Sequence, residues 1–143
     1  MLTLQRKNRS VICFFLDLDG FKQINDLHGL SAGDEVLRTV SGRLVQAVRA
    51  EDTVARVGGD EFIVLVDEAS SAADVELIAS RMVSRQSEPL FASERTLQVG
   101  VSVGIGRFDG DDSKPLISVD ELLNRADQAM YRVKRAGKNA FGY

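Results

Sequence analysis

Val11-Ile-Cys-Phe-Phe-Leu16 is an unbroken apolar run rich in aromatic and branched residues, the pattern of a strand buried on both faces. It runs into Asp17-Leu-Asp-Gly20, so carboxylates emerge where the strand leaves the core. From Gly33 to Arg49 the apolar positions Val36, Leu37, Val40, Leu44 and Val48 repeat at helical spacing. Two short strands, Asp52 to Arg56 and Phe62 to Val66, flank Gly58-Gly59, a glycine pair suited to a tight hairpin. Val75, Ile78, Ala79, Met82 and Val83 mark a second long helix. Between Thr96 and Phe108 the residues Leu97, Val99, Val101, Val103 and Ile105 alternate as in a strand, with glycines that predict a bend or bulge. Asp109 to Pro115 reads as a polar loop. The last helix opens at Ser118 with Glu121 three residues on, a capping box. It turns Val119, Leu122, Leu123, Ala126, Met130 and Val133 to the core, and Gly137 is placed to stop it.

The order strand, helix, strand, strand, helix, strand, helix predicts an α+β fold, a ferredoxin-like or palm-type sandwich. Its central sheet is expected to be mostly antiparallel, with the flanking helices on one face. A chain of 143 residues without internal repeats is read as a single domain over 1–143 with a core that needs no staples.

Composition narrows the function. The net charge of -3 gives no general electrostatic case for a nucleic acid polymer, so any affinity for phosphate rests on a few placed basic groups. No apolar stretch approaches the roughly 20 residues that cross a bilayer, so no membrane contact is expected of this segment. Cys13 is the only cysteine and sits inside the first apolar run, where a buried, inert thiol is expected. A cytoplasmic location suits that thiol, although a larger parent protein could be membrane-anchored.

Asp17, Asp19 and the pair Asp60-Glu61 are the acids that suggest chemistry. Magnesium takes hard oxygen ligands and keeps waters, so one or two carboxylates plus substrate phosphates suffice. An acid at a strand end and an acid on a neighbouring hairpin could converge on one ion, and Gly58 and Gly59 would let a ligand approach the backbone closely. Taken singly, Gly-Gly-Asp is also a plain hairpin turn and Asp-x-Asp a solvated strand end. Their joint occurrence favours a site.

Arg56-Val-Gly-Gly-Asp-Glu-Phe62, with Asp17-Leu-Asp-Gly-Phe-Lys-Gln-Ile-Asn-Asp26, Ala32-Gly-Asp-Glu-Val-Leu37 and Ala126-Asp-Gln-Ala-Met-Tyr131, resembles the GGDEF domains, the diguanylate cyclases. The resemblance runs from about Val11 to Asn139. It implies an enzyme that condenses two GTP into cyclic di-GMP with release of pyrophosphate, as a two-fold homodimer of domains under product inhibition. It also implies that Asp17 and Asp60 bind magnesium or manganese, with the Leu18 carbonyl assisting and Glu61 supporting the metal or the turn. Asn25 and Asp34 match guanine-recognising positions. A carboxylate can accept from guanine N1–H and its 2-amino group, whereas adenine would leave it unpaired. Apart from the resemblance, Asn25 reads as a helix-end cap and Asp34 as a first-turn acid.

Lys22 matches a phosphate-contacting lysine, and the N–H groups of Gly20, Phe21 and Lys22, at the start of a short helix, would add an anion site. Lys134 and Lys138 match basic positions facing the phosphates, or else complement a helix C-terminus. Lysine at 138, where the family usually has arginine, keeps the charge without bidentate geometry. Arg49-Ala-Glu-Asp52 matches the family's inhibitory site for cyclic di-GMP, with Arg81 as a further contact. Its plain alternative is an arginine–carboxylate pair at a helix end.

The family commonly has Gly-His where this chain reads His28-Gly29-Leu30, and His28, the only histidine, is expected in an exposed loop. Residues 1–10 are expected to be the end of a preceding helix, with sensory or effector domains attached. A different reading stays open: a domain that senses GTP or cyclic di-GMP without turnover and regulates an attached effector or phosphodiesterase domain.

Overall fold

The strand begun by the first apolar run is β1 (Ser10–Asp19), and the rest of the molecule is arranged around it. The computed structural model describes residues 10–67, 71–109 and 117–143. After β1 come α1 (Phe21–His28), α2 (Leu30–Ala47), β2 (Thr53–Gly58), β3 (Glu61–Asp67) and α3 (Ala72–Gln86). They are followed by β4 (Leu90–Ala92), β5 (Arg95–Leu97), β6 (Gly100–Asp109), α4 (Val119–Ala136) and β7 (Ala140–Gly142). Ser10 is the first residue of β1 rather than the end of a helix; the remainder of that expectation and residues 110–115 of the polar loop lie outside the described residues.

The five-stranded sheet has the order β2-β3-β1-β6-β7. β1 is antiparallel to β3 and to β6, β2 is antiparallel to β3, and only β7 runs parallel to its neighbour β6. A mostly antiparallel sheet in an α+β fold is therefore what the chain builds. β4 and β5 form a separate two-stranded hairpin, so the long strand read over 96–108 is in fact two strands, broken between Leu97 and Gly100.

Successive side chains of a strand point to opposite faces, and both faces of β1 are covered. Ile12, Phe14, Leu16 and Leu18 are buried with Phe21 of α1, Val36, Val40 and Leu44 of α2, and Ala79 and Met82 of α3. Val11, Cys13 and Phe15 are buried with Leu122, Ala126 and Met130 of α4. The expectation that the helices share one face is thus corrected: α4 packs on the side opposite the other three. An all-apolar central strand needs cover on each side, and fully burying each such side chain is worth about 1.5–3 kcal/mol. Burial pushes the Cys13 thiol up to about 12, which leaves it protonated and inert.

α4 keeps the capping box read from sequence, with Glu121 N–H donating to Ser118 Oγ at 3.0 Å, and it ends at Gly137 in a positive-φ conformation. α4 lies close on β6 because Gly104 and Gly106 face it. A Cβ at Gly104 would stand 2.0 Å from the Ala126 carbonyl oxygen.

Candidate active site

β1 and β3 deliver the acids. Their register sets Asp17 directly opposite Glu61, and the turn holding Asp60 is tied back to β1 by Leu18 N–H donating to Asp60 O at 3.1 Å. On the other side of the turn, Arg56 Nε donates to Gly59 O at 3.1 Å, and the β2–β3 register shifts between Arg56 and Gly58. The hairpin is therefore pinned from both flanks, leaving Asp60 half-buried beside Asp17.

Carboxylate oxygens of Asp17, Asp60 and Glu61 all lie within 4.8 Å of one another. Like charges opposite each other in a sheet are destabilising. Burial pushes the Asp17 carboxyl up to about 7; Lys134 pulls it down, while Asp60 and Glu61 push it further up. Asp17 Oδ1 is buried without a hydrogen-bond partner. Three converging carboxylates, one of which also carries a partnerless oxygen, fit a divalent cation such as magnesium or manganese, which would offset their repulsion.

α4 delivers the cation of the site. Lys134 Nζ lies 3.5 Å from Asp17 Oδ2 and 3.0 Å from Asp19 Oδ1, and donates to the Leu18 carbonyl at 3.3 Å. Leu18 O and Asp17, both expected at the metal, thus both face the Lys134 ammonium at the C-terminal end of β1. Asp19 stands apart from the three-acid cluster. It accepts hydrogen bonds from Ser102 Oγ at 2.7 Å and Asn139 N–H at 2.9 Å, contacts invisible in sequence because the partners lie 83 and 120 positions away.

Gly20, at φ 76, leads the chain from β1 directly into α1, and no side chain caps that helix start. The N–H groups at Phe21 and Lys22 therefore stay free of a side-chain cap, and the exposed Lys22 lies beside them. Asn25 on α1 packs against Gly33 on α2: a Cβ there would stand 1.8 Å from Asn25 Oδ1. Gly33 is a residue the sequence did not single out for this, and it lets Asn25 reach the helix that carries Asp34. Asp34 is exposed and lines a shallow groove of about 190 Å³ with Leu37, Arg38, Ser41 and Arg56. Lys138 is exposed beyond the end of α4 and lines a pocket with Asp19 and Asn139. His28 is the half-buried last residue of α1 rather than an exposed loop residue, and Leu30, 75% exposed, opens α2.

A second groove, of about 350 Å³, is bounded by Arg49, Asp52, Asp74, Leu77 and Arg81. The turn after α2 brings Asp52 back: its Oδ2 accepts from Arg49 N–H at 2.9 Å, while its Oδ1 is buried without a partner. The Arg49 guanidinium reaches Glu51 at 3.8 Å instead of pairing with Asp52. The three residues read as a second site do share one concave surface.

Comparison with known proteins bears on these arrangements. A family model described as "Diguanylate cyclase, GGDEF domain" matches residues 1–140. The chain is 40% identical over 136 residues to MucR of Pseudomonas aeruginosa, a bifunctional diguanylate cyclase/cyclic di-GMP phosphodiesterase, covering 95% of this chain and 19% of that protein. It spans about a fifth of the length of such curated relatives. Among solved structures, the GGDEF domain of YfiN, also called TpbB, from Pseudomonas aeruginosa superposes with a TM-score of 0.85 at 34% identity, covering 93% of this chain and 81% of that one. The GGDEF domain of DgcB from Caulobacter crescentus, solved in complex with c-di-GMP, superposes with a TM-score of 0.81 at 26% identity, covering 93% and 77%.

Proposed function

Because the chain belongs to the GGDEF family of diguanylate cyclases, we propose that it condenses two GTP into cyclic di-GMP and two pyrophosphates, acting as a two-fold pair of domains inhibited by its product. The observation that carries this reading is the convergence of Asp17, Asp60 and Glu61 within 4.8 Å at a strand end and a glycine turn, with the Lys134 ammonium beside them.

Asp17, Asp60 and the Leu18 carbonyl would hold the divalent metal, with Glu61 in support. Magnesium or manganese held there would supply Lewis-acid polarisation of the α-phosphate and would lower the pKa of the attacking 3′-hydroxyl. Asn25 and Asp34 orient guanine; adenine would leave the Asp34 carboxylate unpaired, a penalty of about 1–3 kcal/mol. The N–H groups at Gly20, Phe21 and Lys22, with Lys22, Lys134 and Lys138, neutralise charge that builds toward pyrophosphate. Gly58 and Gly59 keep side chains away from the nucleotide. In each of two steps a 3′-oxygen bonds to an α-phosphorus and the bond to pyrophosphate breaks. One domain holds one GTP, so the two reactants meet across a two-fold axis. Product returns to Arg49, Asp52 and Arg81, where guanidinium groups grip phosphate and Asp52 accepts guanine N–H groups.

Concentrated protein incubated with GTP and magnesium tests this, with nucleotide products identified by mass spectrometry. Cyclic di-GMP and pyrophosphate are expected, Asp60→Ala should abolish both, and Arg49→Ala should lift inhibition by added product while leaving turnover. GTP uptake without pyrophosphate release would instead favour a sensing domain. Unchanged inhibition in Arg49→Ala would remove the second site.

A further inference from the structure

We infer that Asp19 is the positioning residue for both lysines on the phosphate side of the site, Lys134 and Lys138. The inference rests on the reading of these lysines as contacts to the triphosphate. Asp17 and Asp60 face one another in the carboxylate cluster, whereas Asp19 turns its two oxygens to α4, β6 and the turn after α4. Oδ1 accepts from Lys134 Nζ at 3.0 Å and from Ser102 Oγ at 2.7 Å. Oδ2 accepts from Asn139 N–H at 2.9 Å.

The first oxygen fixes a side chain. The Lys134 stem has four rotatable bonds, and a charged partner at its tip selects one arrangement from many. Ser102 is fully buried, so its hydroxyl holds Asp19 from below as Asp19 holds Lys134.

The second oxygen fixes a turn. Lys138 and Asn139 have φ of 65° and 47°, a left-handed backbone that residues with a Cβ adopt only where the surroundings hold it. Asp19 grips the Asn139 N–H, and Ser87 Oγ donates to Asn139 Oδ1 at 2.9 Å, so both halves of Asn139 are anchored. Lys138 precedes it and is aimed by that clamp. Gly100, opposite Asp19 in the β1–β6 register, leaves the room: a Cβ there would meet Asn139 Oδ1 at 3.0 Å and Asp19 Oδ2 at 3.1 Å. One carboxylate, 12% exposed at its side chain, therefore couples the C-terminal end of β1 to β6, to the last turn of α4 and to the turn that follows α4.

Asp19→Asn keeps the shape but replaces one acceptor oxygen by an NH2 group, so it cannot serve Lys134, Ser102 and Asn139 together. Calorimetry with GTP and magnesium, calorimetry with cyclic di-GMP, and amide hydrogen exchange are compared between this variant and the parent. Asp19→Asn should bind GTP on the order of tenfold more weakly, raise KM more than it lowers kcat, and exchange the Asn139 amide faster, with cyclic di-GMP affinity unchanged. Equal GTP affinity in the two proteins overturns the inference. So does a parallel loss for both ligands, which would mark a general structural role. If Asp19→Asn does not fold, Ser102→Ala replaces it, with about a threefold loss of GTP affinity expected and none overturning the claim. A parent that takes up no GTP with magnesium defeats the functional reading itself, a different result from a parent that binds it as well as Asp19→Asn does.

Discussion

Asp17 sits in conflict with its own surroundings. Its carboxyl is partly desolvated, faces Glu61 across the strand pair, neighbours Asp60, and leaves one oxygen without a partner. Its pKa rises from 3.8 in the reference state to about 7 in the fold. Between those values the folded chain holds a proton that the unfolded chain has released. This group therefore makes stability fall as pH rises through that window. The expected outcome is that the metal-free protein melts at lower temperature near about pH 8 than near about pH 5, that Asp17→Asn flattens this difference, and that magnesium restores the parent at the higher pH. Thermal melts with and without chelator check it. A parent whose melting temperature depends on pH no differently from that of Asp17→Asn would contradict the assignment. Sites built for a charged ligand commonly hold such unfavourable contacts in its absence.

At the scale of elements, the site depends on how closely α4 lies on β6. Lys134 reaches the end of β1 from a helix whose backbone the glycines at 104 and 106 let close onto the sheet. A methyl at Gly104 would meet Ala126 O at 2.0 Å, Met130 N at 2.1 Å and Met130 Cα at 2.7 Å, all of them backbone atoms that cannot swing aside. Gly104→Ala should therefore lose about 1–3 kcal/mol of stability or more and weaken GTP binding as Lys134 moves off. Urea titration and calorimetry would show both, and a variant as stable as the parent would refute the packing argument. The long elements were legible because each carries a complete local signal: the apolar run of β1, the Ser118–Glu121 box and Gly137 of α4, and the glycine pair of the β2–β3 hairpin. β4, β5 and β7 were not legible, since strands of three residues show no periodicity. Placing all helices on one face conflicted with the doubly apolar β1, and the structure follows the strand.

Across the whole molecule, the acids and the lysine that converge come from segments far apart in sequence: β1, the β2–β3 turn and the end of α4. Residue types with a family motif around them, such as Asp60 in Arg56-Val-Gly-Gly-Asp-Glu-Phe62, could be read from the chain alone. The wiring could not, because Asp19 with Asn139, Asn25 with Gly33 and Arg56 with Gly59 are matters of register and helix approach. The second groove lies across α2 and α3, where Arg81 comes beside Asp52. Two such domains facing each other would bring two nucleotides together. That geometry matters only if each domain first captures one nucleotide through its metal. Calorimetric titration of the parent with a non-hydrolysable GTP analogue, in magnesium and then in chelator, tests that claim most directly. One analogue bound per domain with magnesium is the expected result, with binding lost in chelator and in Asp60→Asn. Equal affinity with and without metal, or in Asp60→Asn, would contradict it.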